Sequence, residues 1–137
     1  MTSRKFPGKF TSLETICGFI TEEAKEAGLS DNHVYAVQLA VDEACSNIIE
    51  HAYSGDEMGE IVCECNILDD GLEVIIKDNG KPFDPDSVPE PQIGAPLEEL
   101  ESRGAGLFLI RNLMDEVNFK YHEGKGTVLK MIKRKIG

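Results

Sequence analysis

Glu60-Ile-Val-Cys-Glu-Cys-Asn-Ile-Leu-Asp-Asp-Gly-Leu-Glu-Val-Ile-Ile-Lys-Asp78-Asn-Gly80 reads as two strands joined by a tight turn. Ile61, Cys63, Cys65 and Ile67 recur at every second residue, with Glu60, Glu64 and Asn66 on the opposite phase, the pattern of a strand with one face in a core. Asp70-Gly71 is a hairpin signal. Leu72, Val74 and Ile76 then point inward, and Asp78 falls on the same phase. A carboxylate there is costly unless something polar meets it. Either Asp78 has already left the strand, since Asn79-Gly80 follows, or it is a buried acid kept for a partner.

Downstream, Lys81 to Arg103 has no periodicity and holds Pro82, Pro85, Pro89, Pro91 and Pro96. A loop of that length is a functional lid or disordered, here with a short helical turn at Leu97-Glu-Glu-Leu100. It is acidic, through Asp84, Asp86, Glu90, Glu98, Glu99 and Glu101. Gly104-Ala105-Gly106 leads into a helix over Leu107 to Met114. Glycines at a helix mouth expose backbone N–H groups and a positive dipole end, both suited to phosphate. A plain loop-to-helix junction has the same composition. Val117, Phe119 and Tyr121 alternate as a strand, Glu123 to Gly126 turns the chain, and Thr127, Leu129 and Met131 face inward on a last strand.

Upstream, Val37 to Tyr53 reads as the end of a helix whose apolar stripe is Val37, Ala40, Val41, Ala44 and Ile48. Glu43 and Asn47 lie one turn apart on one side of it. They are either a surface pair, or a proton acceptor beside an amide oxygen able to ligate a hard cation such as Mg²⁺. Ser30 or Asp31 caps this helix. An earlier helix opens with a capping-box pattern at Thr11-Ser-Leu-Glu14, packs through Leu13, Ile16, Cys17 and Ile20, and ends at Gly28. Arg4 to Phe10 precedes it as a short edge strand broken by Pro7 and Gly8.

The order is strand, two helices, two strands, lid, helix, two strands. It predicts an α+β fold, a two-layer sandwich whose mixed, mostly antiparallel sheet carries its helices on one face. Residues 1–137 are read as one domain, long enough for a core of its own. The net charge of −11 repels a phosphate backbone and argues against direct nucleic-acid binding. It leaves open a nucleotide held by Mg²⁺ and backbone N–H groups. No apolar run is long enough to span a membrane, and the N-terminus lacks the apolar stretch of a signal peptide, so the expected location is the cytoplasm. Cys63 and Cys65 lack the spacing of a zinc site and are read, with their strand, as small core residues. His33, His51 and His122 have no nucleophile partner in the pattern.

Glu43-x-x-x-Asn47, Asp78-Asn-Gly-Lys-Pro-Phe-Asp84, Gly104-Ala-Gly-Leu-Phe-Leu-Ile110 and Gly126-Thr127 stand in the order found in the GHKL, or Bergerat-fold, ATP-binding superfamily. Within it the chain resembles the small anti-sigma factor serine kinases, from about Phe6 to Ile132. Pro82 stands where the wider superfamily often has glycine. The resemblance implies ATP and Mg²⁺ as cofactors. By it, Asn47 would ligate Mg²⁺, Asp78 would accept from the adenine amino group, and Gly80 would let the backbone approach the base. Arg103, Gly104 and Gly106 would wrap the triphosphate, with Ala105 at a variable position. Phe83 and Leu107 belong to the same two nucleotide-binding motifs, and Thr127 would support the adenine end. Glu43 would be the catalytic base toward a serine hydroxyl. The implied partners are an anti-sigma factor antagonist as substrate, a sigma factor, and a second copy of the chain in a homodimer through the sheet or the N-terminal helix region. A non-catalytic ATP- or ADP-dependent regulatory binding module would use the same site.

Overall fold

The computed structural model describes residues 1–52, 59–80, 103–122 and 126–135, with backbone alone for 51–52 and 103–107. Eight elements follow in order: β1 (Thr2–Pro7), α1 (Leu13–Glu26), α2 (Asp31–Asn47), β2 (Glu60–Leu68), β3 (Gly71–Asp78), α3 (Arg103–Leu113), β4 (Glu116–His122) and β5 (Gly126–Arg134). The strands form one five-stranded sheet in the order β1-β2-β3-β5-β4. All four pairings are antiparallel, a tighter result than the mixed sheet expected from the sequence.

The alternation over 60–78 becomes register. Ile61 lies across from Asp78, Cys63 from Ile76 and Cys65 from Val74, and β5 continues the rows with Thr127, Leu129 and Met131. These side chains are buried on the face that the helices cover. Ile16, Phe19 and Ile20 of α1, Val37, Val41 and Cys45 of α2, and Ile110 of α3 complete the core. Cys63 and Cys65 sit in it as free thiols, as their apolar phase predicts. Burial pushes the Cys65 thiol up to about 12.

Ile67 departs from its phase and is 50% exposed. The ladder explains it: Thr2, the first residue of β1, pairs with Cys65, so β2 has no outer neighbour beyond that point. The hairpin signal also acts differently from expectation. The turn residues are Asp69 and Asp70, and Gly71 is the first residue of β3. Gly71 is required by packing, because a Cβ there would stand 2.1 Å from the Lys133 carbonyl oxygen.

The start of α1 corrects the capping-box reading. A 3₁₀ turn over Phe10–Ser12 comes first, and the Ser12 side chain makes no cap bond. Its hydroxyl instead donates to the Pro7 carbonyl at 2.7 Å, tying the end of β1 to the helix. That is a local side-chain-to-backbone bond winning over the cap. α1 does end at Gly28: the N–H groups of Gly28 and Leu29 reach back to the carbonyls of Lys25 and Ala24. Ser30 is the cap of α2, accepting from the His33 N–H at 3.3 Å. Gln38 Nε2 donates to Thr21 Oγ1 at 2.6 Å and fixes α1 against α2. The lid expected over 81–103 lies outside the described residues except for Arg103.

Candidate functional site

Three chain segments carry the residues singled out from sequence. The first is the end of β3. Asp78 is 7% exposed and lies directly across from Thr127, itself 7% exposed. Asp78 has therefore not left the strand. Its Oδ1 accepts from the Gly80 N–H at 3.0 Å, so the chain folds back on the carboxylate as it leaves the sheet. Thr127 Oγ1 is buried and has no hydrogen-bond partner. A buried orphan hydroxyl costs free energy and calls for an account. Here an acceptor, the Asp78 carboxylate, and an unused donor, the Thr127 hydroxyl, stand on neighbouring strands.

Gly126, read from sequence as a turn residue and, with Thr127, as part of the family motif, turns out to hold this corner together. It has φ +92°, and a Cβ would stand 1.8 Å from the Asp78 carbonyl oxygen. Only glycine lets β5 begin this close to the end of β3. The signal was present in the sequence as the glycine immediately before Thr127.

The second segment is the end of α2. Glu43 and Asn47 share one side of the helix, and both are half-buried. The α-helix stops at Asn47, and the chain continues as a widened π-helical turn over Ile48–Ala52. The apolar periodicity predicts a regular helix to about Tyr53, a residue outside the described ones. Such turns occur often at functional sites. The Glu43 carboxyl is raised above its usual range, first by burial and then by the charges of Asp42 and Glu50. A proton acceptor tuned upward in this way is what a general base needs. The interior of α2 also reaches the first segment. Cys45 is held protonated chiefly by a hydrogen bond to Cys63 and by burial, with the charges of Asp42 and Asp78 adding to it.

The third segment is the start of α3. The helix begins at Arg103, earlier than the Leu107 expected from sequence. Gly104, Ala105 and Gly106 are thus inside its first turn. The first four N–H groups of an α-helix have no intrahelical acceptor, so this stretch of backbone presents donors to an anion. α3 packs on α2, which brings the second and third segments to neighbouring helices. Phe83 lies outside the described residues.

The residues present fit a purine nucleotide. The buried carboxylate matches an exocyclic amino donor, and the orphan hydroxyl matches a ring nitrogen. For Mg²⁺, no cluster of three His, Cys, Asp or Glu side chains occurs among the described residues. Asn47 would therefore bind the ion together with phosphates and water, the usual coordination for Mg²⁺ at nucleotides. Replacing Thr127 by valine, which keeps the shape and removes the orphan hydroxyl, is expected to raise the melting temperature of the free protein and to weaken nucleotide binding by about three- to tenfold. Calorimetry of both quantities checks it. A hydroxyl serving structure alone gives the opposite sign for stability.

Comparison with known proteins identifies the family and supports the fold. The histidine kinase-like ATPase domain matches residues 6–133. The chain is 39% identical over 110 residues to the serine-protein kinase RsbW of Listeria innocua, covering 77% of this chain and 70% of that protein. It is 34% identical over 129 residues to the serine-protein kinase RsbW of Bacillus cereus, covering 91% and 79%. In structure it resembles the RsbU and RsbW domains of Rv1364c from Mycobacterium tuberculosis, with a TM-score of 0.64, 16% identity and 98% of this chain covered, but it spans only 32% of that longer chain. It also resembles the catalytic domain of histidine kinase ThkA, with a TM-score of 0.55, 16% identity and 98% of both chains covered. These two likenesses speak for the fold.

Proposed function

The chain belongs to the histidine kinase-like ATPase (GHKL) family, among its anti-sigma serine kinases, and from that premise we propose that it uses Mg-ATP to phosphorylate a serine of an anti-sigma factor antagonist and that it sequesters a sigma factor. The observation that carries the nucleotide half of this reading is the buried Asp78–Thr127 pair with its unused hydroxyl. The half-buried Glu43, with its raised carboxyl, carries the kinase half.

Bound Mg-ATP supplies the γ-phosphoryl group and the cation that neutralises its charge. The chain's own part is positioning and proton transfer. Asp78 and Thr127 read the base, and Gly80 keeps the backbone low beside it. Arg103, Gly104, Ala105, Gly106 and Leu107 line the phosphates with main-chain donors, and Phe83 belongs to the adenine-side motif. Asn47 holds the metal ion. Glu43 accepts the proton of the substrate serine hydroxyl as that oxygen bonds to the γ-phosphorus and the bond to the leaving ADP breaks. Among the described residues no helix is long and apolar enough to cross a membrane, and a cytoplasmic location is part of this reading.

The test has two stages. Mg-ATP at 100 times its Kd should add about 2.7 kcal/mol of stability, a rise in melting temperature of roughly 7–12 °C for a chain of this size. Incubation with labelled ATP and purified antagonist proteins should then yield phosphoserine on one of them. A thermal shift without transfer to any antagonist would leave a nucleotide-dependent binding module. No shift at millimolar Mg-ATP or Mg-ADP removes the nucleotide site itself.

A further inference from the structure

The helix face of the sheet carries one row that ends in the open. Phe6, Ile61, Asp78, Thr127 and Tyr121 lie across from one another on β1, β2, β3, β5 and β4. The first four are buried, whereas Tyr121 is 45% exposed. Its orientation follows from the ladder. Directly paired residues share a face, and Thr127 shares its face with the buried Leu129 and Met131. Phe119, on the same phase of β4 as Tyr121, packs at the margin of the core. Tyr121 is thus a large aromatic side chain on the face where the base is read, one strand beyond Thr127. Its hydroxyl has no hydrogen-bond partner among the described residues.

The distance from Asp78 fits a nucleoside. Neighbouring strands are about 4.8 Å apart, so the two steps from Asp78 through Thr127 to Tyr121 span about 10 Å. That is the reach of a purine nucleoside from its exocyclic amino group to its ribose hydroxyls. α3 fixes what comes next. Met114 and Asp115 alone separate it from β4, and the helix packs on the strand. Gly104 lies nine residues back from Leu113, about 14 Å along the helix. Tyr121 lies five residues on from Glu116, about 17 Å along the strand. Running side by side from a shared turn, the two reach the same end of the fold. The order across the site is therefore Asp78 and Thr127, then Tyr121, then the unpaired N–H groups of the first turn of α3. Base, ribose and phosphate follow one another in the same order.

We propose that Tyr121 reads the ribose of the bound nucleotide: its phenol hydroxyl bonds to a sugar hydroxyl, so that the site selects ribonucleotides over deoxynucleotides. This inference rests on the nucleotide reading above. It adds a sugar specificity that neither Asp78 nor the main-chain donors of α3 supply, since those meet the two ends of the ligand. A phenol suits the task, because it both donates and accepts, as a sugar hydroxyl does. Its ring also offers an apolar surface to the edge of the sugar.

The test is calorimetric titration of the full chain with the magnesium complexes of ATP, 2′-deoxy-ATP and 3′-deoxy-ATP. Wild type is expected to bind ATP about three- to tenfold more tightly than at least one of the deoxy forms. Tyr121→Phe keeps the ring and removes the hydroxyl. It is expected to lose that factor for ATP and to bind ATP and the deoxy form alike. A second measurement uses the wild-type chain alone. Nitration of tyrosine by tetranitromethane, located by peptide mass, should be suppressed at Tyr121 by saturating Mg-ADP. Tyr35, 60% exposed on α2 and about 18 Å along that helix from Asn47, should react at the same rate with and without nucleotide. A wild type that binds none of the three nucleotides removes the nucleotide site and this inference with it. A wild type that binds all three equally, a Tyr121→Phe protein that still discriminates, or Tyr121 nitrated as fast with Mg-ADP as without it overturns the ribose reading alone.

Discussion

Asp78→Asn is expected to weaken Mg-ATP binding by about a hundredfold while leaving the sheet intact. The change is nearly isosteric, so its effect isolates hydrogen-bond polarity. In the wild type, Oδ1 is held by the Gly80 N–H at 3.0 Å. The amide of the variant keeps that bond through its oxygen, because only the oxygen can accept. Its NH₂ group is then forced into the position of Oδ2. A donor now meets the adenine amino donor. Hydrogen bonds to charged groups contribute about 1.5–3 kcal/mol, or roughly tenfold to 150-fold, and the opposed donors place the loss toward the upper end. Isothermal titration calorimetry measures it. In the free variant the Gly80 N–H keeps its acceptor. An Asp78→Asn protein that binds Mg-ATP as tightly as wild type removes Asp78 from the adenine site and takes the reading of Thr127 with it.

Asp78 also shows how far a sequence alone reaches. The two-residue period from Leu72 to Ile76 placed its carboxylate on the buried face, and the register places it there. Period, however, says nothing about what lies across the ladder. That Thr127 is its neighbour follows from β5 inserting between β3 and β4, a long-range pairing with no local signal. For the same reason Gly126 could be read as a turn, while the need for glycine comes from the Asp78 carbonyl beneath it. The order of the elements and the helix layer were legible, because apolar periodicity is a local property of the chain. The misreadings cluster at element ends. Ser12 chose the Pro7 carbonyl over its own helix, and Ile67 lost its cover because β1 begins opposite Cys65. Both outcomes depend on where a second segment happens to start, which a local pattern does not encode.

Glu43→Gln is expected to lower phosphotransfer to a serine substrate by roughly 10²–10⁴-fold with Mg-ATP binding unchanged, the usual cost of removing a positioned general base. Glutamine keeps the length of the side chain and cannot take a proton. The raised carboxyl gives two further readouts with fixed signs. Only the ionised form can act as base, so kcat falls as pH drops through the folded-state pKa. That acidic limb should lie above the value near 4.3 of an ordinary glutamate, because burial, Asp42 and Glu50 all disfavour the charge. The limb should vanish in the variant. Stability moves the other way. A carboxyl whose folded pKa exceeds its unfolded one favours the folded state below the unfolded pKa, and that contribution is lost as pH rises through the folded value. At neutral pH the ionised Glu43 is therefore a liability to folding, and the uncharged glutamine should melt higher than wild type. A residue kept for packing would lose stability on substitution, and a surface acid would change neither quantity. Loss of transfer together with a gain in melting temperature is the pairing expected of a group held under strain for chemistry. Undiminished transfer by Glu43→Gln would assign the base to another residue, even with the nucleotide site confirmed at Asp78.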